Sequence, residues 1–205
     1  SGRRAEYFPV VYRESLADAD PRGALGFDIA SDPRRRIALE RAQDSGLPAA
    51  TGRLRLVSAA GDRTGFWVVA PVYAPGLIPT TAPERSRQLI GFAQGVFQVK
   101  ALVDTALAEM ESGGLHFLVV DRTPGGPPEV LHHHRSRAGQ HDGAVTTDEA
   151  VIRAELHYSH PLDVAGRRWE LLFFPSARYL AVAHTGRAWE TAAAMLLATL
   201  AVAAF

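Results

Sequence analysis

One aspartate among apolar residues is the side chain best placed to do chemistry. Asp28 lies in the run 26–29 (GFDI), which is predicted to be a short apolar strand leading into a helix. A carboxylate is costly to bury unless something hydrogen-bonds it. Asp28 therefore either anchors a polar ligand or has a structural role, capping a loop or pairing with an arginine such as Arg35 or Arg53.

The histidines are the second group to consider. His132 and His134 would share one face of a strand, because neighbouring strand side chains point to opposite sides, and His141 could join them from a loop. The alternative, which we favour, is an exposed polar loop tip, so no metal ligand is assigned. His157 and His160 are expected to be surface residues or hydrogen-bonded core residues.

Motifs of common enzyme classes are absent from the sequence. It contains no Gly-Xaa-Ser-Xaa-Gly, no His-Glu-Xaa-Xaa-His and no phosphate-binding glycine-rich loop with a lysine. It also has no cysteine, which excludes disulfides, thiolate metal sites and a cysteine nucleophile. Asp28, His116 and Asp121 show no spacing typical of acid–base catalysis. We therefore expect a chain that is not an enzyme and needs no cofactor.

The charge balance and the hydropathy of the sequence restrict the classes of function further. Lys plus Arg (22) balance Asp plus Glu (22), so we expect no nucleic-acid binding. The 205 residues suffice for one large domain or two small lobes. Residues 191–205 carry no charge and are apolar on every face, so we expect residues 187–205 to be the start of a transmembrane helix. The alternative is an apolar helix packed against the core.

The elements that must position these residues follow a mixed α+β order. One helix is expected to begin with Ser31 as its cap and Pro33 in its first turn, and to end at Gly46. A second helix is expected over 99–110, before a lobe boundary near Ser112–Gly114. Strands are predicted over 7–13, 53–58, 65–73, 88–98, 115–121, 129–134, 155–160 and 167–175, and long loops over 74–87 and 135–150.

Several runs of this sequence, in their order and spacing, resemble the CHASE domain. They are Tyr7–Tyr12, Ala24–Ser31, Arg35-Arg36 with Ala38, Leu39 and Ala42, Gly46, Thr51-Gly52, Gly65-Phe66 before Pro71–Tyr73, Gly91–Phe97 and Val99–Leu102. The resemblance covers roughly residues 7–180. That family comprises the extracellular sensors of histidine kinases, nucleotide cyclases and diguanylate cyclases, including the plant cytokinin receptors.

The resemblance implies tandem PAS-like lobes with antiparallel sheets and flanking helices. Residues 1–112 would form a membrane-distal ligand-sensing lobe and residues 113–186 a membrane-proximal lobe, followed by the membrane helix from residue 187. In the cytokinin receptors the aspartate that matches Asp28 accepts hydrogen bonds from the hormone. The walls of the implied pocket are Tyr12, Ala50, Thr51, Phe66, Val68 and Phe97. Ala50 replaces a bulky apolar residue of the plant receptors, which argues against an adenine-type cytokinin.

The expected function is extracytoplasmic sensing of a small molecule of unknown identity. Binding in the distal lobe would be transmitted through the membrane helix to a cytoplasmic kinase or cyclase, in a homodimeric receptor of the cell inner membrane with this domain in the periplasm. One alternative is a ligandless spacer and dimerisation module of the same receptor class. A further alternative is a subunit that binds another periplasmic protein.

Overall fold

The fold consists of two antiparallel sheets, each built by one half of the chain. The computed structural model describes residues 6–14, 24–58, 61–76, 78–108, 114–136 and 145–184. Within these residues there are two four-stranded antiparallel sheets and five α-helices, which confirms the predicted α+β class. The tandem PAS-like arrangement and the lobe boundary near Ser112–Gly114 stay predictions.

The first sheet is organised around one long strand. Its strands are Ala49–Ala50 (β1), Leu54–Ser58 (β2), Gly61–Tyr73 (β3) and Leu89–Gln98 (β4). β3 pairs antiparallel with each of the other three, as its nearly continuous apolar sequence predicts for a central strand. The short strand β1 was not predicted from the sequence.

The first helix, Pro33–Ser45 (α1), packs against one face of this sheet. Its end at Gly46 is confirmed, because Gly46 has a φ of 75° and its N–H donates to the Ala42 carbonyl. The predicted cap was wrong: Asp32, not Ser31, accepts hydrogen bonds from the first helical amides. Ser31 cannot cap α1 because it is the last residue of a short 3-10 helix, Ile29–Ser31.

Two shorter helices flank β4. Ala82–Gln88 (α2) lies where a loop was predicted, and it is held by a capping box between Thr81 and Glu84. Hydrogen bonds from Thr80 and Thr81 lower the pKa of the Glu84 carboxylate. The helix after β4, Val99–Ala106 (α3), is shorter than the predicted 99–110.

The second sheet follows in the order β6-β5-β8-β7. Its strands are Leu115–Asp121 (β5), Glu129–His134 (β6), Tyr158–Val164 (β7) and Arg167–Pro175 (β8), with the helices Glu149–Ala154 (α4) and Ala177–His184 (α5). The predicted strand 155–160 lies three residues too early, because the chain first completes α4 behind its Asp148 cap. The predicted loop 135–150 likewise ends sooner than expected, at the start of α4.

Three apolar clusters hold the fold together. The first cluster fills the space between α1 and the first sheet, and includes Leu39, Trp67 and Val69. The second cluster joins the two sheets, with Ala50, Phe66 and Val99 packed against Phe117, Val119, Leu131 and Trp169. The third cluster packs α4 on the outer face of the second sheet.

Residues 7–13 do not form the predicted strand. Pro9 and Asp28 form a single bridge, flanked by a hydrogen bond from the Val10 amide to the Phe27 carbonyl. The ladder stops there because Pro9 has no N–H to donate and the partner segment turns into the 3-10 helix at Ile29.

None of the helices in the described residues has the length and apolar character needed to span a membrane. The predicted membrane helix at 187–205 lies outside the described residues.

Candidate functional site

Asp28 is half-buried and directly precedes Ile29 and Ala30, which belong to the first apolar cluster. Its Oδ1 accepts hydrogen bonds from the Phe8 amide at 3.0 Å and the Ala30 amide at 3.1 Å. The second of these bonds caps the short 3-10 helix. Asp28 therefore has the capping role that was one of its two predicted roles, and it ties the N-terminal segment to the start of α1.

Four of the predicted pocket residues lie together, but on the other face of the first sheet. Phe66 pairs with Phe97 and Val68 with Ala50, and paired residues of an antiparallel ladder share a face. The rings of Phe66 and Phe97 are stacked with 5.4 Å between their centroids. Ala50 and Phe66 are part of the inter-sheet cluster, and Val68 packs against it.

Thr51 and Tyr12 are separate from that group. Thr51 is fully buried, and its Oγ1 accepts a hydrogen bond from the Trp67 amide and donates one to the Gly52 carbonyl. Tyr12 is 76% exposed, with its hydroxyl 3.5 Å from Glu14. The structure thus divides the predicted site: Asp28 lies by the first cluster, whereas Ala50, Phe66 and Val68 belong to the second or pack against it, and Phe97 stacks on Phe66.

An arginine between two aromatic rings lies close to Asp28 in the chain. The Cζ of Arg35 is 4.0 Å from the ring centroid of Trp67 and 5.2 Å from that of Phe27. Burial lowers the pKa of the Arg35 guanidinium, and the charge of Asp32 only partly opposes this effect. The sequence suggested Arg35 only as a partner of Asp28, and no local pattern indicates that Trp67, far along the chain, lies against it.

A polar junction connects the two sheets at the β7–β8 turn. The Ala50 amide donates to the Ala165 carbonyl at 2.9 Å, and Arg41 Nη2 donates to the Gly166 carbonyl at 2.6 Å. Ala165 and Gly166 form this turn with φ values of 47° and 76°. Beside it, Arg167 binds the buried carboxylate of Asp121 at 2.7 Å.

Two open clefts lie away from Asp28. One, of about 550 Å³, lies between the end of α1 and the β7–β8 turn and is lined by residues that include Arg41, Asp44 and Gly166. The other, of about 450 Å³, lies at the end of β3 and is lined by residues that include Tyr73 and Ile78. Neither cleft is lined by Asp28 or by the four residues of the inter-sheet face.

The histidines of β6 lie on two faces. His132 and His134 pair with Val119 and Phe117 on the face toward the first sheet, and His134 stacks on Phe117 with 4.8 Å between ring centroids. Burial lowers the pKa of His132, and the proximity of His134 lowers it further. Among the described residues no three side chains are arranged to hold a metal ion, and His141 lies outside them.

His133 lies on the opposite face, near buried His116, with 6.5 Å between the two rings. Burial is the largest cause that lowers the pKa of His133, and His116 adds to it. The Nε2 atom of His133 is buried and has no hydrogen-bond partner. Burial and the proximity of His116 both favour the neutral state of the His133 ring in the folded protein.

Comparison with known proteins gives two findings. The CHASE domain family model matches residues 1–132. The chain is also similar to the hybrid signal transduction histidine kinase A of Dictyostelium discoideum, with 25% identity over 189 residues. That match covers 85% of this chain but 9% of the kinase, so the chain spans a small part of the relative's length.

Proposed function

Because the chain belongs to the CHASE domain family, we propose that it is the extracytoplasmic small-molecule-sensing domain of a membrane-bound signal-transduction receptor. CHASE domains are sensory and not catalytic, so the proposal includes no catalytic role for this chain. The family match carries the proposal, since residues 1–132 include Asp28, α1 and the whole first sheet. The similar kinase is a hybrid signal transduction histidine kinase, and we propose a kinase or cyclase as the output of the full receptor.

The proposed ligand site lies beside Asp28, at the edge of the cluster between α1 and the first sheet. Asp28 is half-buried and tied to the backbone on both sides, so a ligand that contacts it would act on the N-terminal segment and α1 together. Ala50, Phe66, Val68 and Phe97 face the second sheet instead. In this proposal these four residues transmit the conformational change caused by the ligand to the second sheet.

The proposed route of the signal runs through the junction between the sheets. A shift of β1 would act on the β7–β8 turn through the Ala50–Ala165 hydrogen bond, and a shift of β3 would act on Trp169 through Phe66. β8 leads directly into α5, so it would carry the change toward the proposed membrane helix. The ligand can shift this equilibrium only by its differential affinity for the two states. The receptor would be a homodimer in the cell inner membrane, with this domain in the periplasm.

Thermal unfolding of the full chain against purines, amino acids and carboxylates tests the sensor proposal. A compound that binds the folded state raises the melting temperature by mass action. Asp28→Asn keeps an oxygen that can accept from both Phe8 and Ala30 but removes the charge. Asp28→Ala removes both hydrogen bonds. A shift seen in the wild type and lost in both variants supports Asp28 as the ligand anchor. Full binding by Asp28→Asn would restrict Asp28 to its capping role.

A ligandless spacer is the second candidate, and one observation favours it. Phe66 is buried against Ala50, Phe97 and Trp169, so the predicted pocket residues on the inter-sheet face fill a core and do not surround a cavity. A folded sample whose melting temperature is unchanged by every compound of the panel would support the spacer over the sensor.

A further inference from the structure

Arg35 differs from its two neighbouring arginines in what its side chain contacts. The Arg34 guanidinium donates to the Arg53 carbonyl, and that of Arg36 donates to the Ala30 carbonyl at 3.3 and 3.4 Å. The Arg35 guanidinium instead lies between the rings of Phe27 and Trp67. Stacking on aromatic faces holds a planar guanidinium in one orientation while leaving its N–H edge available.

Two buried N–H groups at this place have no acceptor. The Nε of Arg35 is buried without a hydrogen-bond partner, and so is the indole Nε1 of Trp67, a side chain that is only 9% exposed. No ion pair within the described part of the chain joins Arg35 to a carboxylate. The nearby Asp32 carboxylate is used by the first amides of α1. A buried donor that lacks an acceptor loses its hydration without replacement, and the cost in free energy is larger when the donor is charged.

The contacts of Arg35 therefore offset only part of the free-energy cost of burying its charge. Its pKa is lowered chiefly by burial, which indicates that the charge has lost hydration. An anion at the edge of the guanidinium would supply the hydrogen-bond acceptors that water provides to an exposed arginine. Arg35 is only partly buried and Phe27 is 44% exposed, so the site lies at the protein surface.

We propose that Arg35 is the anchor for the carboxylate group of the sensed small molecule, with Phe27 and Trp67 holding its guanidinium in place. This inference rests on the proposed sensor function and adds the ligand class. A planar carboxylate matches the planar donor edge of a guanidinium in a bidentate pair. Arg34 and Arg36 are engaged with backbone carbonyls, so one available cation fits a singly charged carboxylate better than a phosphate dianion. The indole N–H of Trp67 would be a second hydrogen-bond donor to the carboxylate.

The test uses benzoate as the carboxylate probe, benzamide as its neutral counterpart and inorganic phosphate as the other anion. The full chain has three tryptophans, so its indole N–H signals in a ¹⁵N–¹H NMR spectrum are few and can be assigned with Trp67→Phe. Benzoate, up to roughly 10 mM and so above a dissociation constant of about 1 mM, should move the Trp67 indole and Arg35 Nε–H signals. Trp169, whose indole N–H is also buried and unpartnered, should not respond.

Matched variants separate binding from folding. Arg35→Gln should weaken benzoate binding about tenfold or more, which is about 1.4 kcal/mol. Arg35→Lys should bind with intermediate affinity, because it keeps the charge but loses the fork of donors. Arg34→Gln removes the same charge one residue away and should bind benzoate as the wild type does. The spectra themselves report whether each variant is folded.

The outcomes that overturn the inference are distinct from those that overturn the sensor proposal. Unmoved Trp67 and Arg35 signals in benzoate, equal binding by Arg35→Gln, or a response to benzamide or phosphate alone would reject a carboxylate anchor at Arg35. If such a result came with a melting shift by a neutral compound in the Asp28 experiment, the sensor proposal would stand. If no compound bound in either experiment, both would fall.

Discussion

The ring of Phe66 meets the indole of Trp169 edge-on, with 4.8 Å between the centroids and 77° between the planes. Phe66 belongs to the first sheet and Trp169 to the second, and both are buried. The pair is therefore the aromatic centre of the apolar cluster that joins the two sheets. Together with the Ala50–Ala165 hydrogen bond, which links β1 to the β7–β8 turn, it joins the two sheets through both side chains and backbone.

Truncation of this pair should be costly and the two truncations should interact. Phe66→Ala is expected to lower the free energy of unfolding by about 3–5 kcal/mol. A double-mutant cycle with Trp169→Ala should show a coupling of about 0.5–1.5 kcal/mol, the value of an aromatic pair beyond its burial. Phe97→Ala is the control, since Phe97 is 37% exposed and should cost less. Additive losses in denaturant unfolding would mean that the rings do not couple.

Two glycines of the first sheet should respond in opposite ways to alanine. A Cβ on Gly65 would lie 2.5 Å from the Phe97 carbonyl oxygen and closer still to the Leu56 side chain. Gly65→Ala should therefore destabilise the fold by about 1–3 kcal/mol through overpacking. A Cβ on Gly91 would meet nothing within 4 Å, so Gly91→Ala should be neutral or stabilising by up to about 1 kcal/mol. Equal effects in chemical denaturation would contradict this description of the sheet.

The buried carboxylate of Asp121 should matter far more than an exposed one. Asp121 is 3% exposed, pairs with Arg167 at 2.7 Å and also accepts hydrogen bonds from Thr123. Asp121→Asn leaves Arg167, whose side chain is 18% exposed, without its counter-charge and is expected to cost about 3 kcal/mol of stability. Asp104→Asn breaks the exposed pair with Lys100 and should change stability by less than about 0.5 kcal/mol. Unfolding curves of the two variants that coincide would show that the Arg167 pair is not important.

Mild acid should destabilise the protein through the histidines of β6. Burial lowers the pKa values of His132 and His133 in the fold, so the unfolded chain binds more protons than the folded one below pH about 6.5. Stability is therefore fully present above that pH and decreases as the pH falls toward the lowered pKa values. Unfolding at pH about 7.5 and about 5.5 measures the slope.

His133→Gln should reduce the acid sensitivity, because it removes a histidine whose pKa is lowered by burial. His132 keeps its own contribution, so the slope should shrink without vanishing. His157→Gln, the same substitution at an exposed position, is the control and is compared with His133→Gln at the same two pH values. A slope unaffected by His133→Gln would assign the acid sensitivity to other groups.

Local signals in the sequence predicted part of this fold correctly. Pro33 and Gly46 bound α1 as expected, because a proline in the first turn and a left-handed glycine after the last are determined by local backbone geometry. The strands β5 and β6 were also predicted, with the bounds that the structure shows. The helix α2 was missed although Thr81 and Glu84 form a capping box, because the surrounding prolines favoured a loop.

The candidate site was harder to predict, for a physical reason that β3 illustrates. Phe66 and Trp67 are both buried, since both faces of this strand are covered, so no alternation of polar and apolar residues indicates which cluster each one joins. The pocket implied by the family resemblance combined Asp28 with residues of the opposite face, and no local pattern in the sequence argued against that combination. Likewise the contact of Arg35 with Trp67 depends on tertiary packing and leaves no local trace in the sequence.

The division of β3 between two clusters restricts which changes of chain length the protein can accept. Successive side chains of a strand point to opposite faces, so loss or gain of one residue within β3 would exchange the environments of Phe66 and Trp67. The large indole would then press on Trp169, and Arg35 would lose the indole ring on which it stacks. Insertions and deletions within this strand should therefore be tolerated only in pairs.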